Sequence, residues 1–278
     1  MPRIRVHSLL EYQVRRPTTL LFKVAVQESP GQSVVDESFA CKPSFQLDSG
    51  SNGPAGDRLH RLHASNGEFS LEYSATVELD NVVEPPCEVE ELDLVDLPAG
   101  VLPYLNPSRY CESDLLQRFA YEEFGDLSPG YGRVRAITDW VHEHLEYTPG
   151  STNGLSTASD VLLSRTGVCR DYAHLAVALC RGMGIPARYL SVYAVDLHPQ
   201  DFHGVFEAYL GEQWYLFDAT RLAPRGGFVR IGAGRDAADV AFATIVGNAA
   251  LNDKQVSAEL LDDSKLEAPG SSDAVTIP

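Results

Sequence analysis

The chain has 278 residues, of which 44% are hydrophobic and 22% charged, a composition typical of a globular protein with one large or two modest domains. Its formal net charge of −17 at pH 7 disfavours nucleic acid and anionic membranes as partners, because phosphate binding needs clustered lysines and arginines. No apolar run reaches the ~20 residues of a membrane span. The basic start lacks the apolar core and cleavage site of a signal peptide, so we expect a cytoplasmic protein.

Short β-type runs fill the first third of the chain. Near alternation of polar residues with β-branched and aromatic ones predicts strands at 5–14, 18–26 and 68–79, with a turn-rich stretch at 48–57. Several short antiparallel strands predict an all-β, sandwich-like domain over residues 1–105. Docking of a substrate or partner and a purely structural role are both open for this domain.

The next stretch changes from strands to helices. Prolines punctuate residues 83–111, which we interpret as the connection between two domains. Beyond it, apolar residues at helical spacing predict helices at 115–121 and 133–145, followed by a short capped helix at 157–163. Within the second of these helices, Trp140 is interpreted as a core residue.

Cys169 stands where a further helix is about to begin. Gly167 permits the turn before it, and Leu175 and Leu179 follow at helical spacing, which predicts a helix over roughly 170–182. The free N–H groups and the macrodipole at a helix start favour an anion, so we expect the pKa of Cys169 to lie below the ~8.5 of a free thiol. For the cysteine taken alone, a buried structural thiol is the alternative.

After this helix the pattern returns to strands. They are predicted at 186–195, 202–210 and 213–220, with a tight turn at Gly211-Glu212 between the last two. A helix followed by an antiparallel meander predicts an α+β core, in which the helix bearing Cys169 packs on the sheet.

The end of the chain is less regular. Residues 228–245 predict a strand, a loop and another strand or short helix. We therefore place the α+β core at 106–250 and a C-terminal extension at 251–278. The small, polar residues from about 268 onward are predicted to be disordered, so the extension is partly disordered.

Five cysteines are scattered along the chain without any C-x-x-C pair: Cys41, Cys87, Cys111, Cys169 and Cys180. Such a set disfavours both a disulfide framework and a thiolate zinc site. His142 and His144 are two residues apart on a predicted helix and so point in different directions, unlike the histidines of an H-E-x-x-H zinc motif. We expect neither a metal nor an organic cofactor.

A histidine and an aspartate follow Cys169 in the predicted sheet. In an antiparallel pair centred on the tight turn, His203 falls roughly opposite residues 219–220 and diagonal to Asp218, so the two side chains can meet. Thiol, imidazole and carboxylate are the nucleophile, base and orienter that acyl transfer through a thioester requires. His174 lies five positions after Cys169, not four, and is predicted to be a bystander.

Four segments resemble the transglutaminase-like core: Gly-Val-Cys-Arg-Asp-Tyr-Ala at 167–173, Gly-Met-Gly-Ile-Pro-Ala-Arg at 182–188, Phe-His-Gly-Val-Phe-Glu-Ala-Tyr at 202–209 and Trp-Tyr-Leu-Phe-Asp-Ala-Thr at 214–220. The resemblance covers about residues 110–245. It implies a papain-like fold with a Cys-His-Asp triad, in which Cys169 is the nucleophile, His203 the general base and then acid, and Asp218 the orienter of the imidazole.

The resemblance has two further implications. The β-rich region before the core resembles, more loosely, the N-terminal domain of bacterial transglutaminase-like proteins that are described as cysteine proteases. The oxyanion hole of the family combines the backbone N–H of the nucleophile, here Cys169, with a second donor upstream, for which Tyr147, Trp140 and Asn153 are candidates.

These features predict a cysteine-dependent acyl-transfer enzyme that acts on an amide or peptide bond of a peptide or protein substrate. Hydrolysis is favoured, because water needs no dedicated acceptor site; transamidation shares every step but the last. A non-catalytic binding or scaffolding module on the same fold is the alternative from another class. A third, weaker hypothesis is a metallo-hydrolase built on four histidines: His142, His144, His174 and His198.

Overall fold

The structure is a computed structural model that describes residues 1–45, 48–52, 56–85, 89–268, 270–271 and 273–277. Cys87 and part of the predicted domain connection lie outside the described residues, as do parts of the turn-rich stretch and of the predicted disordered end. Among the described residues, no helix has both the length and the apolar character needed to cross a membrane.

Two four-stranded antiparallel sheets form the β-rich part of the molecule. Their strands are β1 (Arg3–Val14), β2 (Thr18–Phe22), β3 (Gln32–Lys42), β4 (Asp48–Asn52), β5 (Asp57–Ala64), β6 (Gly67–Leu79), β14 (Ala243–Val246) and β15 (Ala249–Leu260). The first sheet has the order β15-β1-β6-β3 and the second β14-β2-β5-β4.

The two sheets pack face to face because alternate residues of their strands are apolar. In β1 the buried positions recur at every second residue over most of the strand, which is the period of a strand with one face in a core. Tyr12 of the first sheet packs edge-on against Phe22 of the second, with ring centroids 5.8 Å apart, and Phe69 lies against both rings. The predicted sandwich-like arrangement is therefore present.

The core combines helices with a six-stranded sheet. The helices are α1 (Ser113–Phe124), α2 (Tyr131–His144), α3 (Ala158–Ser164) and α4 (Cys169–Gly182). The strands are β7 (Val82–Glu84), β10 (Ala187–Ala194), β11 (His203–Leu210), β12 (Gln213–Phe217), β13 (Phe228–Gly234) and β16 (Ala274–Thr276), in the order β13-β10-β11-β12-β16-β7. A short parallel pair, β8 (Glu146–Tyr147) and β9 (Thr166–Gly167), precedes α4.

Helix α4 is the centre of this core. Every residue from Asp171 to Gly182 is buried, and the helix packs on α1 and on β11. The predicted helix at 170–182 and the predicted antiparallel meander are confirmed within a few residues at each end. The α+β fold class, with a β-rich domain before it, is confirmed as well.

The chain returns to the β-rich part after the core, since β14 pairs with β2 and β15 pairs with β1. The predicted boundaries, with the core at 106–250 and a C-terminal extension at 251–278, do not include this pairing with the β-rich part. The disorder predicted for the end of the chain is wrong for Ala274–Thr276, which forms buried strand β16 between β12 and β7. Its order depends on pairing with strands far away in sequence, which a local composition does not reveal.

A buried ion pair joins the two parts of the molecule. The Nζ of Lys23 donates to Asp57 Oδ2 at 3.0 Å and to the carbonyl of Asp239 at 2.6 Å. Asp57 also accepts the backbone N–H of Ala233, in β13, at 3.0 Å. Lys23 is 8% exposed and Asp57 2% exposed, so the two charges are removed from water together with their partners.

We expect Lys23→Met to destabilise the protein by roughly 3 kcal/mol, because the apolar stem is kept while the buried Asp57 loses its cation. Chemical unfolding followed by circular dichroism measures this change. Arg118→Met is the matched control, since Arg118 pairs with Glu122 on the exposed face of α1, and we expect it to leave the midpoint nearly unchanged. Equal shifts for the two variants would contradict a structural role for the buried pair.

Candidate active site

The short parallel pair β8–β9 delivers the chain to Cys169, the first residue of α4. Gly167 must be small here, because a Cβ on it would lie 2.8 Å from the Cβ of Asp171. The carboxylate of Asp171 accepts the backbone N–H of Val168 at 2.9 Å and the hydroxyl of Thr152 at 2.5 Å, and it pairs with Arg170. These contacts fix the backbone on which the thiol stands.

His203 and Asp218 meet as the predicted register requires. Phe206 pairs with Phe217 in β11–β12, so the register brings the first residue of β11 beside the chain just beyond β12. His203 Nε2 lies 3.1 Å from Asp218 Oδ2, and both residues are buried. The other carboxylate oxygen, Oδ1, accepts the hydroxyl and the backbone N–H of Thr220 at 2.7 and 2.8 Å.

The thiol lies on the other side of the imidazole. Since Nε2 faces Asp218, Nδ1 is the ring nitrogen left for the hydrogen bond between His203 and Cys169. Gly204 allows this approach, because a Cβ on it would lie 3.2 Å from the Cα of Arg170 and would collide with the hydroxyl of Tyr189. A side chain at position 204 would therefore push the start of β11 away from the start of α4.

The electrostatics of the three groups reinforce one another. Burial raises the pKa of the Cys169 thiol, but the hydrogen bond and charge of His203 and the backbone N–H of Gly204 outweigh burial and leave the pKa below its ordinary value. Burial lowers the pKa of His203, whereas the charge and hydrogen bond of Asp218, together with Cys169, raise it well above the usual range. The pKa of Asp218 is lowered, since His203 and Thr220 more than offset its burial.

The other described cysteines differ from Cys169 in this respect. Burial raises the pKa of Cys41 to about 11 and that of Cys111 to about 12, and it also raises the pKa of Cys180. Cys180 is fully buried on α4, as a core residue would be. Among the described cysteines whose pKa is shifted, Cys169 is the one for which the shift is downward.

Of the three candidates for a second oxyanion donor, Tyr147 is the one that contacts Cys169. Burial and the charge of Cys169 raise the pKa of Tyr147, while a hydrogen bond with the Cys169 backbone N–H lowers it. Trp140 instead stacks on His144 at 4.1 Å. Asn153 uses its side-chain oxygen to accept the backbone N–H of Leu155 at 2.8 Å.

Two of the histidines considered for a metal site, His142 and His174, contact other groups. His142 Nδ1 lies 3.0 Å from the carbonyl oxygen of Ala219, the residue after Asp218. His174 is buried between Tyr110 and Tyr189, and burial lowers its pKa to about 3. Within the described part of the chain, no three histidine, cysteine, aspartate or glutamate side chains converge as a metal site.

A cavity of about 650 Å³ opens beside the thiol. Residues of the core, among them Cys169, His203 and Gly204, line it together with residues from the loop after β13 and from β14 and β15. The cavity therefore lies between the core and the β-rich part of the molecule. Its size is that of a site for a small ligand or a few side chains.

Sequence reasoning did not identify two residues that shape the site. Gly204 directly follows His203, and Thr220 lies two residues after Asp218, so both stand inside the segments that carry the resemblance. Asp-x-Thr is a local signal for a side chain that hydrogen-bonds its own backbone neighbour. The need for glycine at 204 follows from the helix packed across it, which no local pattern contains.

Comparisons with known proteins match both the β-rich part and the core of the chain. The family model of the transglutaminase-like superfamily matches residues 118–219, and the model of the bacterial transglutaminase N-terminal domain matches residues 2–99. The chain also matches the crystal structure of a "putative cysteine protease" from Cytophaga hutchinsonii, with 43% sequence identity. The match covers 100% of this chain and 98% of that one, and the two superpose with a TM-score of 0.95.

Two uncharacterized mycobacterial proteins are also similar. The one from Mycobacterium leprae is 34% identical over 119 residues, which are 39% of this chain and 42% of that protein. The one from Mycobacterium bovis is 30% identical over 151 residues, 49% of this chain and 48% of that protein. The chain thus matches less than half the length of each of these relatives. On the two family models and the structure from Cytophaga hutchinsonii, this chain belongs to the transglutaminase-like superfamily.

Proposed function

We propose that this protein is a cysteine-dependent acyl-transfer enzyme that hydrolyses a peptide or amide bond through a thioester on Cys169. The observation that carries the proposal is a chain of hydrogen bonds. The thiol of Cys169, at the start of α4, contacts His203, and His203 Nε2 lies 3.1 Å from Asp218 Oδ2. The description of the Cytophaga hutchinsonii relative as a "putative cysteine protease" supports hydrolysis. The substrate is a peptide or a protein.

In the first half of the reaction, the Cys169 thiolate attacks the carbonyl carbon and its negative charge passes to the carbonyl oxygen. The tetrahedral intermediate collapses, the C–N bond breaks, and the nitrogen leaves as an amine with the proton from the His203 imidazolium. The raised pKa of His203 keeps this proton available, and Asp218 stabilises the imidazolium from the other side.

In the second half, water attacks the thioester. His203, now neutral, takes a proton from the water as the new C–O bond forms, and the C–S bond breaks to release the acid and restore the thiolate. A primary amine in place of water would give transamidation with the same residues.

The oxyanion of both tetrahedral intermediates needs donors aimed at it. The backbone N–H of Cys169 is one: it belongs to the first turn of α4 and in the free protein donates to the hydroxyl of Tyr147, which the oxyanion replaces as acceptor. We assign the hydroxyl of Tyr147 as the second, on its contact with Cys169. Tyr147 is 40% exposed and contacts Cys169, so a substrate held at the thiol lies beside it.

Incubation of the full chain with a mixed peptide library, with and without a primary amine, tests the reaction itself. We expect new peptide termini whose appearance requires Cys169, and whose yield the amine does not change. Mass spectrometry measures both. Amine adducts in place of new termini would make the enzyme a transamidase. A folded protein that produces neither would fit the scaffolding alternative and overturn the proposal.

Iodoacetamide at pH 6 to 7 tests the thiolate. We expect Cys169 to be alkylated faster than the other cysteines, as followed by peptide mass spectrometry. The thiolate is the reactive form and exists above the pKa, so the rate falls as pH drops through the lowered pKa of Cys169. In His203→Ala that pKa returns upward, and the rate at pH 6.5 falls by about tenfold or more.

The control for this experiment is His198→Ala, which removes a histidine near His203 in sequence and leaves the triad in place. We expect its alkylation rate to match that of the unaltered chain. Uniform labelling of all cysteines, or equal slowing by both substitutions, would contradict a thiolate sustained by His203.

Tyr147→Phe tests the second oxyanion donor. Loss of one donor typically slows acyl transfer by about 10²-fold or more, and we expect that loss in kcat with the substrate found in the library. Alkylation by iodoacetamide forms no oxyanion, so it should change much less. Tyr121→Phe, on the exposed face of α1, is the matched control. An unchanged kcat in Tyr147→Phe would remove Tyr147 from the oxyanion hole.

A further inference from the structure

We propose that the cavity beside Cys169 binds a large apolar side chain, best an aromatic one, on the residue that supplies the reacting carbonyl. The inference rests on the proposed function and adds the class of peptide that the enzyme acts on. The cavity begins at the thiol itself, since Cys169 and His203 line it. A side chain next to the attacked carbonyl is therefore the one that can enter.

The lining is mainly aromatic and aliphatic. Four aromatic side chains line the cavity in two contacting groups: Tyr110 and Tyr189 both pack on His174, and Phe202 stacks on Phe242 with ring centroids 5.1 Å apart. Small apolar residues from the loop after β13, among them Ala241, also line the cavity. Aromatic walls around a space of about 650 Å³ fit a ring, which gains both burial and ring-to-ring contact there.

The charged residues that line the cavity are already paired. Arg170 Nη2 donates to Asp171 Oδ1 at 2.7 Å. Lys254 of β15 donates to Asp201 at 2.7 Å, and its ammonium lies 5.6 Å from the centre of the Phe242 ring. A charged side chain of a substrate would have to compete with these internal partners. An apolar side chain leaves them undisturbed and gains from burial.

The cavity wall is held in place before any substrate arrives. The backbone N–H of Ala237 donates to His174 Nε2 at 3.1 Å at one end of the wall. At the other end, Lys23 holds the carbonyl oxygens of Asp239 and Phe242, through Nζ at 2.6 Å and through its backbone N–H at 3.1 Å. Because the wall is already fixed at both ends, little conformational entropy is lost when a substrate binds, and this favours selectivity for the shape of the substrate.

The acyl part of the substrate is the part that this cavity suits. The acyl group stays on Cys169 through both halves of the reaction, whereas the leaving amine must depart and water must enter. The cavity lies between the core and the β-rich part, so it can hold the side chain of the acyl group throughout the reaction. The side of the thiol that Tyr147 contacts is open to exchange, since Tyr147 is 40% exposed.

Chloromethyl ketones of N-acetyl-phenylalanine and N-acetyl-glycine test the inference on the full chain. The thiolate displaces chloride from either reagent, and each rate is divided by the rate of the same reagent with glutathione. We expect the normalised rate of Cys169 alkylation to be at least about tenfold higher for the phenylalanyl reagent, the factor expected from burying an aromatic side chain. Mass spectrometry of the Cys169 peptide measures it.

Two substitutions connect the preference to the cavity. Ala241→Trp fills the space and should bring the ratio of the two rates close to one; the ratio cancels any change in thiol reactivity. Phe242→Ala removes an aromatic wall instead, and should lower the ratio even if the filled variant does not fold. Ala99→Trp places the same side chain on an exposed turn away from the cavity, and should keep the ratio of the unaltered chain.

The possible outcomes separate this inference from the proposed function. Equal normalised rates in the unaltered chain, or a preference that survives both cavity substitutions, overturn the assignment of the cavity while Cys169 remains a reactive thiolate. Failure of both ketones and of iodoacetamide to modify Cys169 overturns the proposed function, and this inference with it.

Discussion

The contact on which the candidate site depends is the close approach of the start of β11 to the start of α4. Gly204 makes it possible, since any side chain there would meet the backbone of Arg170. The approach places the buried imidazole of His203 against the partly buried thiol of Cys169, where water screens the attraction between a thiolate and an imidazolium less than it does at the surface. The free N–H groups of the helix start favour the same charge on sulfur. Packing thus creates the charge separation that the proposed chemistry needs.

The contact between Cys169 and His203 requires that both the start of α4 and the His203–Asp218 pair are held in place, and each is held by its own hydrogen bonds. Asp171 ties the start of α4 to the loop before it through Val168 and Thr152. Thr220 holds one oxygen of Asp218, so that the other faces His203. His142 of α2 contacts the carbonyl oxygen of Ala219 and so anchors the same segment from the helical side. Cys169 and Asp218 are thus each held by neighbours that take no part in bond making, and Asp218 in turn orients His203, which leaves little freedom to lose at the moment of reaction.

Local patterns in the sequence were sufficient for the elements that carry these groups. Helical spacing predicts α4, alternation predicts β11 and β12, and a two-residue turn sets their register, so the meeting of His203 with Asp218 is predictable. Strands β15 and β16 were missed because their residues are mostly polar or small and their stability comes from distant partners in β1, β7 and β12. The choice of Tyr147 over Trp140 and Asn153 was also out of reach. It depends on which way each side chain points after β8 pairs with β9.

The path of the chain gives the β-rich domain a part in the proposed site. A purely structural appendage would touch the core away from the thiol, but β14 and β15 leave the core, pair with β2 and β1, and contribute Thr244 and Lys254 to the cavity. Lys23, from the first pass of the chain through this domain, holds the part of the wall formed by the loop after β13. Both layers therefore determine the shape of the space next to Cys169, although the three proposed catalytic groups all belong to the core. A change in how the two layers pack would alter which acyl groups fit while leaving the thiolate and the imidazolium intact, so the domain interface is where selectivity can change without loss of the chemistry.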